Sequence, residues 1–182
     1  MSDVRLVYKP HPKVVTSLSP AVREANHRIL GLVDQAIRRE PDAGHQAITR
    51  GDILAIIPDC DAMVTDVSAV GLDWLYLRTD CPIFLTDRHH DAERLRREVP
   101  VSRCADVITD VNVAGLAATI SARLEYDEHH LARLAMRHHY FDDLQVGDST
   151  VRFLDAVSET VRLRDRLLGA ATSPEDGAAI TA

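Results

Sequence analysis

Two short runs hold the residues whose types and spacing could do chemistry. In Asp61-Ala62-Met63-Val64-Thr65-Asp66-Val67-Ser68-Ala69-Val70-Gly71-Leu72-Asp73, an apolar strand core empties into small polar residues and then into a helix start. The first amides of a helix have no intrahelical acceptor, and the helix dipole adds partial positive charge there. Thr65, Ser68 and the Ala69 amide are therefore candidates to cradle an anion, phosphate above all. In the second run, Lys9-Pro10-His11-Pro12 follows an apolar strand over residues 4–8. The two prolines fix the backbone beside His11 and withdraw two donors, so neither strand nor helix continues through it. Lys9 and His11 would both face an anionic ligand, because in open α/β sheets the ligand crevice lies outside the carboxyl ends of the strands.

Each of these residues also has a plainer role open to it. Thr65 and Ser68 could cap the next helix, which is compatible with binding phosphate. Asp66 reads as a turn former, Asp73 as the partner of an arginine on a solvated face, and His11 as an exposed loop residue.

The elements that must position these runs alternate along the chain. Strands are predicted at 4–8, 62–65, 82–86 and 107–109, with a short edge strand at 46–49. Helices are predicted over 20–39, where Ser19-Pro20 gives a start signature, over 53–57 behind Asp52, over 69–77, over 113–139 with a break near Tyr126, and over 147–168. The last is amphipathic, with Phe153, Val157, Val161 and Leu168 on one side. Residues 87–97 read as loop and short helix. Strands separated by helices imply an α/β fold, a Rossmann-like parallel sheet with helices on both faces. The expected domain is one lobe over 1–169, followed by a frayed tail over 170–182.

Composition narrows the classes. A net charge of −7 argues against non-specific nucleic-acid binding. No apolar run approaches the ~18 residues of a spanning helix, and the N-terminus lacks a leader pattern, so a cytoplasmic location is predicted. Cys60, Cys81 and Cys104 are odd in number and widely spaced, which predicts apolar fillers in a reducing compartment rather than disulfides. The pairs His89-His90, His129-His130 and His138-His139 do not place two imidazoles on one helical face. No metal and no cofactor are expected.

The runs quoted above, with Asp52-Ile53-Leu54 before Asp59 and with Cys81-Pro82-Ile83-Phe84-Leu85 after, resemble the CDP-glycerol glycerophosphotransferases of teichoic acid synthesis. That family shows a basic residue before an HP pair, a TDYSS-x-x-x-D segment and a strand starting at proline. Gly147-Asp148-Ser149-Thr150-Val151-Arg152-Phe153 looks like its closing helix start, so the resemblance covers about residues 4 to 168. It implies the C-terminal half of a GT-B fold, the lobe that holds a CDP-linked polyol donor.

By position, donor binding would fall to Lys9, Pro10, His11, Ser68, Ala69 and Asp73, with His11 catalytic; Thr65 joins the donor-binding set from the strand-end reading above. Ala69 stands where the family has a second serine, and Val67 where it has tyrosine. The implied partners are CDP-glycerol or a related donor, a polymer or glycolipid acceptor, and an N-terminal lobe bearing the acceptor base. The implied place is peripheral, at the inner face of the membrane.

Three rivals share parts of the pattern. UDP-sugar GT-B glycosyltransferases and 2-epimerases have an HP segment and a helix-start phosphate site, but present glycines there; a non-catalytic nucleotide-binding module would use the same groups. A receiver-type signalling domain would phosphorylate Asp66. It needs acids after the first strand, where Lys9 stands, and a lysine after the last, yet the only lysines are Lys9 and Lys13.

Overall fold

Proline, glycine and short polar side chains set most of the element boundaries. In the computed structural model, which describes residues 4–171, the first strand is β1 (Val7–Tyr8), and Lys9-Pro10-His11 ends it. The His11 ring takes the N-cap position of a single-turn helix, α1 (Pro12–Val15), with Nδ1 accepting the Lys13 amide at 3.1 Å. Pro20 starts α2 (Pro20–Arg39) at its first position, where no amide hydrogen is needed. Pro41 and Gly44, at φ 72°, turn the chain into β2 (Gln46–Ala47). The helix predicted over 53–57 is instead two 3-10 turns, Ile53–Ala55 and Ile57–Asp59. Asp52 caps the first by accepting the Leu54 amide at 3.0 Å, and Pro58 prevents the turns from joining as an α-helix.

The remaining elements are β3 (Met63–Thr65), α3 (Ala69–Leu77), β4 (Ile83–Thr86), α4 (Ala92–Glu98), β5 (Asp106–Ile108), α5 (Leu116–Glu125), α6 (His130–Phe141) and α7 (Asp148–Ala171). The chain is thus α/β, and every strand pair is parallel: β1 with β2, β3 with β4, and β4 with β5. Parallel neighbours require a crossover connection. Helix α2 supplies it for the first pair and α3 for the second.

One expectation needs correction. The strands form two sheets, β1-β2 and β3-β4-β5, rather than one continuous sheet. A cavity of about 200 Å³ lies at the seam, with Val7 and Tyr8 on one wall and Met63, Val64 and Thr65 on the other. Among the described residues, no ladder hydrogen bonds join β1 to β3 across the seam.

The core lies on β4 and around it. Ile83, Phe84 and Leu85 are each at most 1% exposed, so cover on both faces of the strand is required, the pattern of a buried parallel strand. On one face α3 approaches closely at Gly71. A Cβ there would meet Ile83 Cδ1 at 3.7 Å and Leu85 Cδ2 at 3.8 Å. Trp74 is buried too, and its indole N–H donates to the Cys81 carbonyl at 3.2 Å.

Arg133 is a buried cation that ties α6 to this core. Its Nε donates to the Thr79 carbonyl at 3.0 Å, and its two terminal nitrogens clasp the Asp127 carboxylate. Burial raises the Asp127 pKa, but the hydrogen bonds and charge of Arg133 outweigh it and hold the carboxyl below its usual range.

The chain divides within α6: residues up to Met136 form one compact unit and a second begins at Arg137. In the second, Gly147 at φ 97° leads into α7, whose Asp148 accepts the Gln145 amide at 2.8 Å. Its predicted apolar stripe, including Phe153, Val157 and Val161, is exposed. Of the tail predicted from residue 170, the part from 172 onward lies outside the described residues, as does Met1. Among the described residues, no helix is long and apolar enough to cross a membrane.

Two substitutions check this packing. Gly71→Ala adds a methyl group at ordinary contact distance and removes a helix-interior glycine, so urea unfolding should show a gain of about 0.5–1 kcal/mol. Asp127→Ala strands a guanidinium that is 1% exposed and should cost roughly 3–5 kcal/mol at neutral pH. Because the folded pKa of Asp127 is depressed, its contribution is present above the unfolded carboxylate value and fades as pH falls through the folded one. The gap between wild type and variant should therefore close in acid.

Candidate functional site

Both sequence runs reach the carboxyl ends of their strands, and the structure brings two of their residues to one place. Lys9, following β1, and Thr65, ending β3, line the same cavity at the seam between the sheets. The rest of its wall is mostly apolar: Ile53, Ile56 and Ile57 from the 3-10 turns, with Val70 and Trp74 from α3. A small, mostly apolar pocket whose lining includes a lysine and a threonine combines apolar walls with a few polar groups, as ligand sites do.

The other predicted residues flank it in different ways. Pro10 is buried and anchors the segment. His11 is exposed and stands outside the cavity wall. With Nδ1 spent on the Lys13 amide, its Nε2 is the nitrogen open to a ligand. Ser68 and Ala69 are exposed at the start of α3. Ser68 takes the N-cap position in extended backbone, φ −143° and ψ 171°, yet its hydroxyl makes no capping bond. The capping role open to Ser68 from sequence alone is therefore not used. The hydroxyl and the first α3 amides are left to face solvent.

Asp73 is half-buried in the second turn of α3. Burial, first, and then the negative charge of Asp52 push its pKa above the ordinary carboxylate value. No arginine pairs with it among the described residues, so the surface ion pair open from sequence does not form. Two carboxylates that repel each other beside a pocket are costly to the fold, and perturbed acids of this kind cluster at functional sites.

Sequence reasoning missed a second group. A larger cavity, about 430 Å³, opens at the carboxyl ends of β3 and β4 and is lined by Asp66, Thr86, Asp87, Arg88, His89 and Arg94, among others. Asp87 is 5% exposed, with its carboxylate oxygens accepting the His89 amide at 2.9 Å and the Asp91 amide at 2.7 Å. The His89 amide bond leads the causes that hold Asp87 below the usual carboxylate range, against the opposing effect of burial. A signal was present in the chain: Thr86-Asp87 repeats Thr65-Asp66 at the end of the neighbouring strand, where Thr65 is in register with Leu85.

The thiols and the histidine clusters are of a different kind. Burial, first, raises the Cys81 and Cys104 thiols to about 11, so both stay protonated and serve as packing. Asp106, Glu128 and His129 lie close enough to hold an ion. However, Arg123 already supplies their counter-charge, donating to Asp106 at 2.8 and 3.0 Å and also to Glu128. His138, Asp142 and Asp143 are near one another but exposed.

Asp73→Asn tests whether the raised carboxyl is held for a purpose. An acid whose folded pKa is raised costs stability once it ionises, so stability falls as pH rises from the unfolded value to the folded one. The variant should melt higher than wild type at pH 7 and at the same temperature at pH 3. Equal melting at both values would remove the conflict as a feature of this site.

Comparisons of this chain with protein-family models, with curated proteins and with solved structures find no match.

Proposed function

We propose that this chain is the donor-binding lobe of a CDP-glycerol (polyol-phosphate) glycerophosphotransferase, the C-terminal half of a GT-B pair. The observation that carries the reading is the meeting of Lys9 and Thr65 in one cavity, with the uncapped Ser68 hydroxyl and α3 amides at the start of the adjoining helix. Residue type and resemblance together nominated these residues from two runs more than fifty positions apart, and both runs lie at a strand's carboxyl end.

The reaction asks little covalent work of this lobe. A P–O bond between the glycerophosphoryl phosphorus and the CMP phosphate oxygen breaks as a P–O bond to the acceptor hydroxyl oxygen forms. The hydroxyl proton goes to a base, which the family resemblance assigns to the N-terminal lobe, and CMP leaves with the bonding pair. Negative charge grows on the departing phosphate. Lys9, His11 through Nε2, the Ser68 hydroxyl and the first α3 amides are suited to stabilise that charge. Asp73 would accept hydrogen bonds from the nucleoside part, where a carboxylate without a cation is useful rather than wasted. The acceptor would be a polymer or glycolipid hydroxyl, met at the inner membrane face.

Calorimetric titration separates the choices. CDP-glycerol, CDP-ribitol and CMP should bind, and UDP-GlcNAc should bind more weakly. Lys9→Ala and His11→Ala should each weaken the cytidine ligands about tenfold or more, the scale of one charge-assisted hydrogen bond. The chain by itself should bind CDP-glycerol without consuming it. Failure of every cytidine ligand to bind would sink the proposal, and turnover by this chain alone would overturn the division of labour between lobes.

A further inference from the structure

The cavity between the β3–α3 turn and α4 has a distinctive charge pattern. Most of its ionised groups are already engaged. Asp87 spends both oxygens on loop amides, Asp91 Oδ1 accepts the Arg94 amide at 2.9 Å, and Arg94 is paired with Glu98 at 2.9 Å. Two are not. Among the described residues, neither Asp66 nor Arg88 has an ion-pair partner. Arg88 makes only a neutral contact, donating from Nε to His89 Nε2 at 3.1 Å. The pocket therefore has one spare cation and one spare anion among its described lining residues, and the Thr86 hydroxyl beside them donates to the Thr65 carbonyl at 3.3 Å.

The wall is also held in place. The buried Asp87 carboxylate pins residues 89 and 91, and His90, in left-handed backbone at φ 56°, reaches Asp110 at 2.9 Å. A pocket whose walls are already ordered loses little entropy on binding.

A guanidinium with free terminal nitrogens recognises a phosphate through paired hydrogen bonds. A lone carboxylate accepts hydrogen bonds from hydroxyls. A small polyol carrying a phosphate satisfies both at once. We propose that this cavity is a subsite for a phosphorylated polyol, with the phosphate on Arg88 and the hydroxyls on Asp66. The identification of the ligand class rests on the donor-binding reading above; the two spare charges do not. The same chemistry has two sources, the polyol-phosphate half of the donor itself or the terminal unit of the acceptor chain.

The test is residue-resolved NMR titration of the full chain with sn-glycerol 3-phosphate, beside glycerol, inorganic phosphate, serine and CMP. Glycerol 3-phosphate should shift the amides of Asp66, Arg88 and His89 and bind more tightly than glycerol or phosphate. Arg88→Ala, at an exposed side chain, should weaken it about tenfold or more while leaving the far-ultraviolet circular dichroism unchanged. Asp66→Asn should weaken glycerol 3-phosphate but not inorganic phosphate.

No shift at these amides, equal binding of phosphate or of zwitterionic serine, or indifference to Arg88→Ala would each overturn the subsite. CMP reports separately through Lys9 and Ser68. If glycerol 3-phosphate binds and CMP does not, the donor reading falls and the cavity stands; the reverse result removes the cavity alone. With CDP-glycerol already bound, additive binding of glycerol 3-phosphate assigns the subsite to the acceptor, and competition assigns it to the donor.

Discussion

Three consecutive residues of β4, Ile83, Phe84 and Leu85, are almost wholly removed from water, and the placement of both cavities follows from how that strand is covered. Burying an apolar strand on both faces removes the largest apolar area a short element can offer. Helix α3 can lie close on one face because Gly71 leaves room beside Ile83 and Leu85. That contact determines where α3 begins, and hence where Ser68 and the first helix amides stand relative to the end of β3. It also puts the ends of β3 and β4 side by side, in register from Met63↔Ile83 to Thr65↔Leu85. Because Thr65 is in register with Leu85 and not with Thr86, the two Thr-Asp pairs are offset by one residue and their threonines point to opposite faces of the sheet.

Around this apolar centre the charged groups divide into two kinds. Arg133, Arg123 and Arg78 are consumed by structure: each is largely sequestered and satisfied by carboxylates, carbonyls or a thiol. Among the described residues, Asp73, Asp66 and Arg88 have no ion-pair partner. A chain selected for stability alone would pair or neutralise such groups, because a carboxylate pushed toward another carboxylate costs free energy whenever it is ionised. Groups of this second kind gather at the carboxyl ends of the strands and on the adjoining turn of α3. Asp66 and Arg88 give the larger cavity its polar character, whereas Asp73 lies outside the wall of the smaller one, whose polar lining includes Lys9 and Thr65.

Much of the local architecture was legible because it rests on nearest-neighbour effects. Pro20 at a first helical position, the small polar turn that opens the helix at 69–77 and the proline ahead of β4 all act within a few residues. Helix α3 matches its predicted limits, and the predicted break near Tyr126 separates α5 from α6. The division into two sheets was not legible. Whether β1 hydrogen-bonds to β3 depends on how the Ile53–Asp59 turns pack between them, a contact between segments some fifty residues apart in sequence. The site was legible only in part. Residue type marked Lys9, Thr65 and Ser68 as anion ligands, but the roles of Asp87 and Arg88 depend on a loop whose amides turn back onto a buried carboxylate.

The sequence by itself determined the α/β order of the elements, the two strand-end runs and the chemistry those runs can perform. These follow from backbone preference, periodicity and side-chain functional groups, which act locally. Only the tertiary structure decided that Lys9 and Thr65 share a cavity while His11 stands outside it. It also decided that the Ser68 hydroxyl is not spent on a cap, that Asp73 is set against Asp52, and that Asp66 and Arg88 are left unpaired across one pocket. Each of these is a matter of distance and burial between segments remote in the chain. Side-chain charge is written in the sequence, but its desolvation and its partners exist only once β4 is buried and the helices have closed over it.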